Sequence, residues 1–231
     1  MNATPYAPEF YEAVTEGSIR SANVVVPIVL ALLGDCRPKS VVDAGCGAAA
    51  WLSVFRKQGI EDVLGLDGDY VPASALAIPP ERFRAIDLKQ PFTDDRRFDL
   101  AMSLEVAEHL PAHCAQGFVK SLCRLAPIVL FSAAIPGQGG TDHVNEQWPW
   151  YWRHFFAAEG FRMFDPLRPI IFHDRRVEWW YRQNLFLYIR RDVASDHPAL
   201  SQLPEVEDDF GLMIVGPQII GPSYYRQPGG L

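Results

Sequence analysis

A chain of 231 residues, 48% of them hydrophobic, is long enough to bury one substantial core and too apolar for general disorder. Its net charge of -7 comes with no basic block, so a phosphate-backbone partner meets an unfavourable surface and no nucleic-acid partner is expected. Cys36, Cys46, Cys114 and Cys123 form neither a C-x-x-C pair nor a regular spacing, which argues against a disulfide scaffold or a cysteine zinc site.

In chain order, Met1 to Glu16 is polar and lacks the basic-then-apolar pattern of a secretory signal. Ser21 is placed to cap a helix over about Ala22 to Leu33, in which Val24, Val25, Ile28, Val29 and Leu32 have helical spacing. The apolar run Val24 to Leu33 is too short to span a bilayer, so a soluble cytoplasmic protein with no membrane partner is expected. Ser40 to Ala44 reads as a buried strand entering the turn Gly45-Cys46-Gly47, and Ala48 to Gln58 as a helix stopped by Gly59.

The alternation continues with strands ending at Asp67, at Asp87 after Phe83 to Ile86, and at Glu105 after Phe98 to Leu104. A helix over about His113 to Leu125 precedes a strand at Pro127 to Ala134; a helix at Trp148 to Glu159 precedes strands at Phe161 to Phe164 and Leu185 to Ile189. Strands separated by helix-length segments predict an α/β fold: a doubly wound, mostly parallel sheet with helices on both faces. That domain takes residues 1–191. Residues 192–231, rich in Pro, Gly and acids, read as an extension, wrapped on the core or partly disordered.

Open α/β sheets bind ligands beyond the carboxyl ends of their strands, and four acids fall there: Asp43, Asp67, Asp87 and Glu105. For one acid alone, a helix cap or solvated turn is the plainer reading. The loop Gly45-Cys46-Gly47-Ala48-Ala49-Ala50 fits G-x-G-x-x-G/A with Asp67 about twenty residues on, so a nicotinamide dinucleotide is one candidate ligand. A pyrophosphate gains nothing from Asp43 beside that loop, whereas an ammonium or sulfonium is attracted by it. With no Lys in the loop, a phosphate-cradling P-loop is excluded.

Val41-Val42-Asp43-Ala44-Gly45-Cys46-Gly47 resembles motif I of the class I S-adenosylmethionine-dependent methyltransferases, which have a Rossmann-like fold. Leu64-Gly65-Leu66-Asp67-Gly68-Asp69 resembles their second motif, and Phe98 to Leu110 their fourth-strand motif. The resemblance covers about Ser18 to Arg191 and implies S-adenosyl-L-methionine as cofactor. It places Gly45, Cys46 and Gly47 at the methionine part, with Asp43 near its amino group, and Asp67 with Gly68 at the ribose. Asp87 and Leu88 would contact adenine, and Glu105 would lie under the methionine end. The Ala48-Ala49-Ala50 run departs from the glycine or threonine of many relatives. The favoured acceptor is a small molecule, a sugar or secondary metabolite methylated on oxygen; an NAD-dependent oxidoreductase and a binding module that kept the cofactor site without catalysis are the alternatives.

Removing a hydroxyl proton calls for a base, and histidine is the usual one near neutral pH. His143, in the glycine-rich segment after the fifth strand, is the first candidate, with Glu146 beside it and His109 the second. A helix cap is the plainer role for His143 and Glu146. His109 and His113 share an i, i+4 spacing, but Pro111 between them argues for a bend, and no metal is expected. Arg175, Arg176, Glu178 and Arg182 with Trp179, Trp180 and Tyr181 read as an edge element packed on the sheet, or as an anion or sugar platform. Oligomeric state is not legible.

Overall fold

A computed structural model describes residues 8–209 together with Leu212 and Gly216. The strands are β1 (Ser40–Ala44), β2 (Asp62–Asp67), β3 (Phe83–Ala85), β4 (Leu100–Leu104), β5 (Ile128–Ser132), β6 (Phe161–Phe164) and β7 (Phe186–Arg190). They form one seven-stranded sheet in the order β3-β2-β1-β4-β5-β7-β6. The first five are mutually parallel, and β7 runs antiparallel to both of its neighbours. Strand order reverses between β1 and β4, which opens a crevice beyond their carboxyl ends.

The pleat divides the core in two. Along β1, Val41 points into one apolar cluster and Val42 into the other; Leu130 and Phe131 divide likewise along β5. On the first face lie α1 (Pro8–Leu33) and α2 (Ala50–Lys57), which bury Val25, Val29, Leu33, Leu52 and Phe55. On the second lie α3 (Ala115–Leu125) and α4 (Pro149–Ala158), which bury Phe118, Leu122, Trp152 and Phe156. Phe156 stacks on Tyr188 of β7, centroids 3.8 Å apart and 15° between planes. With both faces covered, β1, β4 and β5 are buried at every residue, and their sequences are correspondingly short unbroken runs.

The largest departure from the sequence reading is α1, which begins at Pro8 and not at Ala22. Pro8 opens a helix without loss, because the first-turn N–H has no intrahelical partner. Ser21 therefore caps nothing: its Oγ donates back to the Gly17 carbonyl at 2.8 Å and accepts from the Glu178 amide at 2.9 Å. Thr15–Cys36 is by length and mean hydropathy (1.6) sufficient to cross a membrane, unlike the shorter run read from the sequence. In the fold 39% of its apolar window is buried, with Ala22, Val25, Val26, Val29, Leu30 and Leu33 in the cluster shared with α2 and the sheet.

Between β6 and β7 the chain forms two short helices, α5 (Arg168–Ile171) and α6 (Trp179–Asn184), where an edge element was expected. Past β7, α7 (Arg191–Asp196) and α8 (Pro198–Ser201) bring Ala194 and Leu200 into the α1/α2 cluster. Glu205 then bridges to Phe164 and pairs with Arg162, and Leu212 is buried in the cluster on the α3/α4 face. The rest of the expected tail, like Met1 to Ala7, lies outside the described residues.

Candidate functional site

The crevice at the strand ends is a cleft of about 1010 Å³, lined at one end by β1 and β2 and at the other by the segments after β4 and β5. Asp43, 3% exposed near the end of β1, is pushed well above the usual carboxylate range by burial and then by Asp67. A bound cation would offset both effects. The turn that follows has Gly45 at φ +87° and Gly47 at φ +50°. A side chain at Gly45 would collide with the Val106 methyls, while one at Gly47 would meet nothing and stand in the open cleft. Those are the positions of a close-packed turn and of a ligand's approach.

Asp67 ties this turn to the next. Its Oδ2 accepts the Gly47 amide at 2.6 Å; its Oδ1 accepts the Gly68 amide at 2.7 Å and the Tyr70 hydroxyl at 2.5 Å. Cys46 lies in the cleft wall with its Sγ over Gly65, where any side chain would displace it. Burial, then Asp43 and Asp67, push its thiol far up, which makes it a packing residue and not a nucleophile. Leu88 is buried, and exposed Asp87 folds its Oδ1 back onto the Lys89 amide at 3.0 Å; both line the cleft.

At the other end Glu105 has a left-handed backbone, φ +56°, a conformation that costs a non-glycine residue about 1–3 kcal/mol. Surrounding bonds hold it there. Its amide donates to Ser132 Oγ at 3.1 Å, and its carboxylate accepts Gln138 Nε2 at 2.7 Å and Asn184 Nδ2 at 3.2 Å. Burial raises the pKa of Glu105, and those side-chain bonds act against the rise. The carboxyl of Glu108 is fully buried; burial and then Glu105 raise its pKa well above the usual range. The Glu108 carbonyl receives the amides of Val144 and Asn145, each at 2.9 Å, and so fastens the loop after β5 to the turn after β4.

That fastening sets the rings of His109 and His143 edge to face, centroids 4.8 Å apart. His143 Nδ1 meets Glu146 Oε1 at 2.9 Å, and the Glu146 carboxylate also accepts the amides of Gly137 (2.8 Å) and Gly139 (2.7 Å). Burial opposes the charge on Glu146, but these three bonds prevail and its pKa lies below the usual range. Burial and then His143 lower the pKa of His109. Neither His143 nor Glu146 caps α4: its N-cap is Trp148, whose side chain makes no capping bond, and the Glu146 carboxylate is taken by the Gly137 and Gly139 amides.

The remaining wall comes from Trp179, Trp180 and Tyr181 of α6 with Thr15 and Ser18 of α1. Tyr181 Oη lies 3.2 Å from Ser18 Oγ and accepts Trp51 Nε1 at 3.4 Å. Arg20 pairs with Glu178, so α1 and the α6 entry are joined three times over. The α6 aromatics thus serve the cleft as well as the core.

The structure brings Asp43, Gly45, Cys46, Gly47, Asp67, Gly68, Asp87, Leu88, Glu105, His109 and His143 to one cleft, with Glu146 behind His143. His113 lies apart from it, on a separate 3-10 turn started by Pro111. Glu108, Gln138, Asn184 and Tyr70 are site residues that the sequence reading missed. Only Glu108 carried a signal, its place beside His109.

An acid-rimmed crevice at the switch point of a doubly wound sheet, with a glycine turn shaped for close approach, defines a nucleotide-type site suited to a cationic ligand. A methyltransferase-domain family model matches residues 21–168, and the chain belongs to that family. The nicotinamide alternative falls with that assignment. Comparison with curated proteins finds no match. Among solved structures the fold is similar to an O-methyltransferase family protein from Burkholderia thailandensis, with 15% identity and TM-score 0.58, covering 80% of this chain and 60% of that one. It is also similar to human N-acetylserotonin methyltransferase in complex with S-adenosylmethionine, with 14% identity and TM-score 0.55, covering 79% and 55%. A third is CalS10, an amino pentose methyltransferase from Micromonospora echinaspora, with 18% identity and TM-score 0.56, covering 82% and 100%. The chain thus spans under two thirds of the first two.

Proposed function

We propose that the chain methylates a hydroxyl of a small-molecule acceptor, a sugar or secondary metabolite. The observation that carries this is the His143–Glu146 pair, held by two glycine amides and facing the end of the cleft beside Glu105. A hydroxyl, unlike an amine, must lose a proton as it is alkylated, and proton removal is the task such a pair performs. The aromatic wall of α6 offers flat faces to a ring, and the amino pentose acceptor named for CalS10 is of that class.

The cofactor supplies an electrophilic methyl group on a sulfonium. Buried Asp43 would face its ammonium end, Asp67 would accept from the ribose hydroxyls in place of Tyr70, and Asp87 with Leu88 would border the adenine. Glu105, locked by Gln138 and Asn184, borders the methionine end and fixes where the acceptor enters. Aligning acceptor oxygen, methyl carbon and sulfur is then the work of rigid neighbours.

His143→Ala is expected to lower methyl transfer from labelled S-adenosylmethionine to a panel of sugar and phenolic hydroxyls by ~10²-fold or more. Affinity for S-adenosylhomocysteine should stay within about threefold of wild type, since His143 is not on the cofactor end. Full turnover by the variant would overturn the assignment.

A further inference from the structure

We infer that Glu108, His109 and His143 together bind one divalent first-row transition cation at the acceptor end of the cleft. Each offers a ligand atom, and the three atoms lie within 4.8 Å of one another. The inference rests on the acceptor end assigned above and refines the part of His143 there: with Nδ1 on Glu146 and Nε2 on the cation, the ring acts in the loaded site as a metal ligand, and the cation, not the free imidazole, eases loss of the acceptor proton.

Glu108 is the strongest sign. Its side chain is fully buried, and neither carboxylate oxygen has a hydrogen-bond partner, although the amides of Glu108 and Ala134 lie near enough to favour its charge. Buried carboxylates normally pair or coordinate, so an unpaired one aimed at two imidazoles calls for a ligand. Nearby Glu105 does not compete for that part, because Gln138 and Asn184 occupy its oxygens.

The imidazoles are prepared for the same task. His109 Nδ1 is buried with no partner, so its ring offers a nitrogen to the set. His143 has Nδ1 engaged by Glu146, which leaves the Nε2 lone pair free. A carboxylate on the far nitrogen is the usual outer support of a metal-bound histidine; it fixes tautomer and orientation. The Val144 and Asn145 amides on the Glu108 carbonyl hold the two halves of the set together.

Two imidazole nitrogens and one carboxylate oxygen suit Zn²⁺, Co²⁺, Fe²⁺ or Mn²⁺ better than Ca²⁺ or Mg²⁺, which favour all-oxygen shells. Three protein ligands leave positions open toward the cleft for an acceptor oxygen, as in catalytic metal sites. Bound ligand distances of about 2.0–2.2 Å require the three atoms to draw in on the cation. Glu108 and His109 are neighbours in sequence with no ligand-type spacing, and His143 comes from another loop, so the sequence hides the set.

The test titrates the chelator-treated full chain with CoCl₂, read by visible absorption, and with ZnCl₂ by calorimetry. One equivalent should bind, and Glu108→Gln and His143→Ala should each weaken binding at least tenfold while keeping the S-adenosylhomocysteine melting shift. No saturable binding to wild type, or unchanged affinity in both variants, overturns the site. If Glu108→Gln fails to fold, His143→Ala on its surface loop decides alone. The melting shift of wild type is read separately, so failure of the cofactor reading and failure of the metal site give different results.

Discussion

Asp67→Asn isolates the part of the cleft that geometry describes best. The carboxylate accepts three hydrogen bonds within the protein, from Gly47, Gly68 and Tyr70, and all its partners are donors. Asparagine keeps the shape but turns an NH₂ toward one of the two backbone amides, so donor faces donor. One buried N–H left unsatisfied costs about 1–3 kcal/mol, and at about 2–4 °C per kcal/mol for a domain of this size the melting temperature should drop by ~2–12 °C. Ligand binding loses a charge-assisted bond to a ribose hydroxyl, worth about 1.5–3 kcal/mol. At 1.4 kcal/mol per tenfold, the S-adenosylhomocysteine Kd should rise by roughly 10- to 150-fold. Calorimetry with that ligand, run beside a thermal melt, checks both numbers. A folded variant whose Kd stays within about threefold of wild type would refute the ribose contact.

Two further substitutions probe the stability of the fold, one inside the cleft and one outside it. Because burial and Asp67 hold the folded pKa of Asp43 above its unfolded value, the native state keeps a proton that the unfolded chain releases, and stability falls as pH rises through that window. Ligand-free Asp43→Asn should therefore melt at or above wild type at pH 7.5, with a smaller S-adenosylhomocysteine shift; melting several degrees below wild type would show that Asp43 supports the fold. Arg168, 2% exposed, bonds Asp165 at 2.6 Å and the Gln183 carbonyl at 3.3 Å, over the Phe186 ring at 4.2 Å. Breaking such a buried pair costs about 3 kcal/mol, so Arg168→Ala should lose ~6–12 °C, and denaturant unfolding that shows under ~1 kcal/mol would contradict it.

Strand positions were legible because β1, β4 and β5 are short β-branched or apolar runs, as buried parallel strands need, and β1 and β4 run straight into Gly45 and Glu105. The acids at their ends were legible for the same reason: backbone alternation dictates where the carboxyl edge falls. The start of α1 was not, since Ser21 looks like a cap when read locally, and only packing of Val25, Val29 and Leu33 on the sheet makes the longer helix worthwhile. Gln138 and Asn184 belong to no local pattern. They meet at Glu105 because β4, β5 and β7 are adjacent in the sheet, a relation that sequence distance conceals. The bend between His109 and His113 was legible from Pro111, which separates two 3-10 turns.

The wall opposite the cofactor turns is assembled from the chain's two flanks. Thr15 and Ser18 precede the stretch shared with the family, residues 21–168, and Trp179, Trp180 and Tyr181 follow it. They are nevertheless knitted to each other, through Ser18 with Tyr181, Arg20 with Glu178, and Ser21 with the Glu178 amide. The stretch matched by the family model would thus carry the cofactor turns, while the two flanks, bonded to each other, form one cuff on the cleft. Grafting one flank from a relative would leave severed partners at the seam. Grafting both as a unit would alter what enters the cleft and leave Asp43, Asp67 and their glycine turns undisturbed.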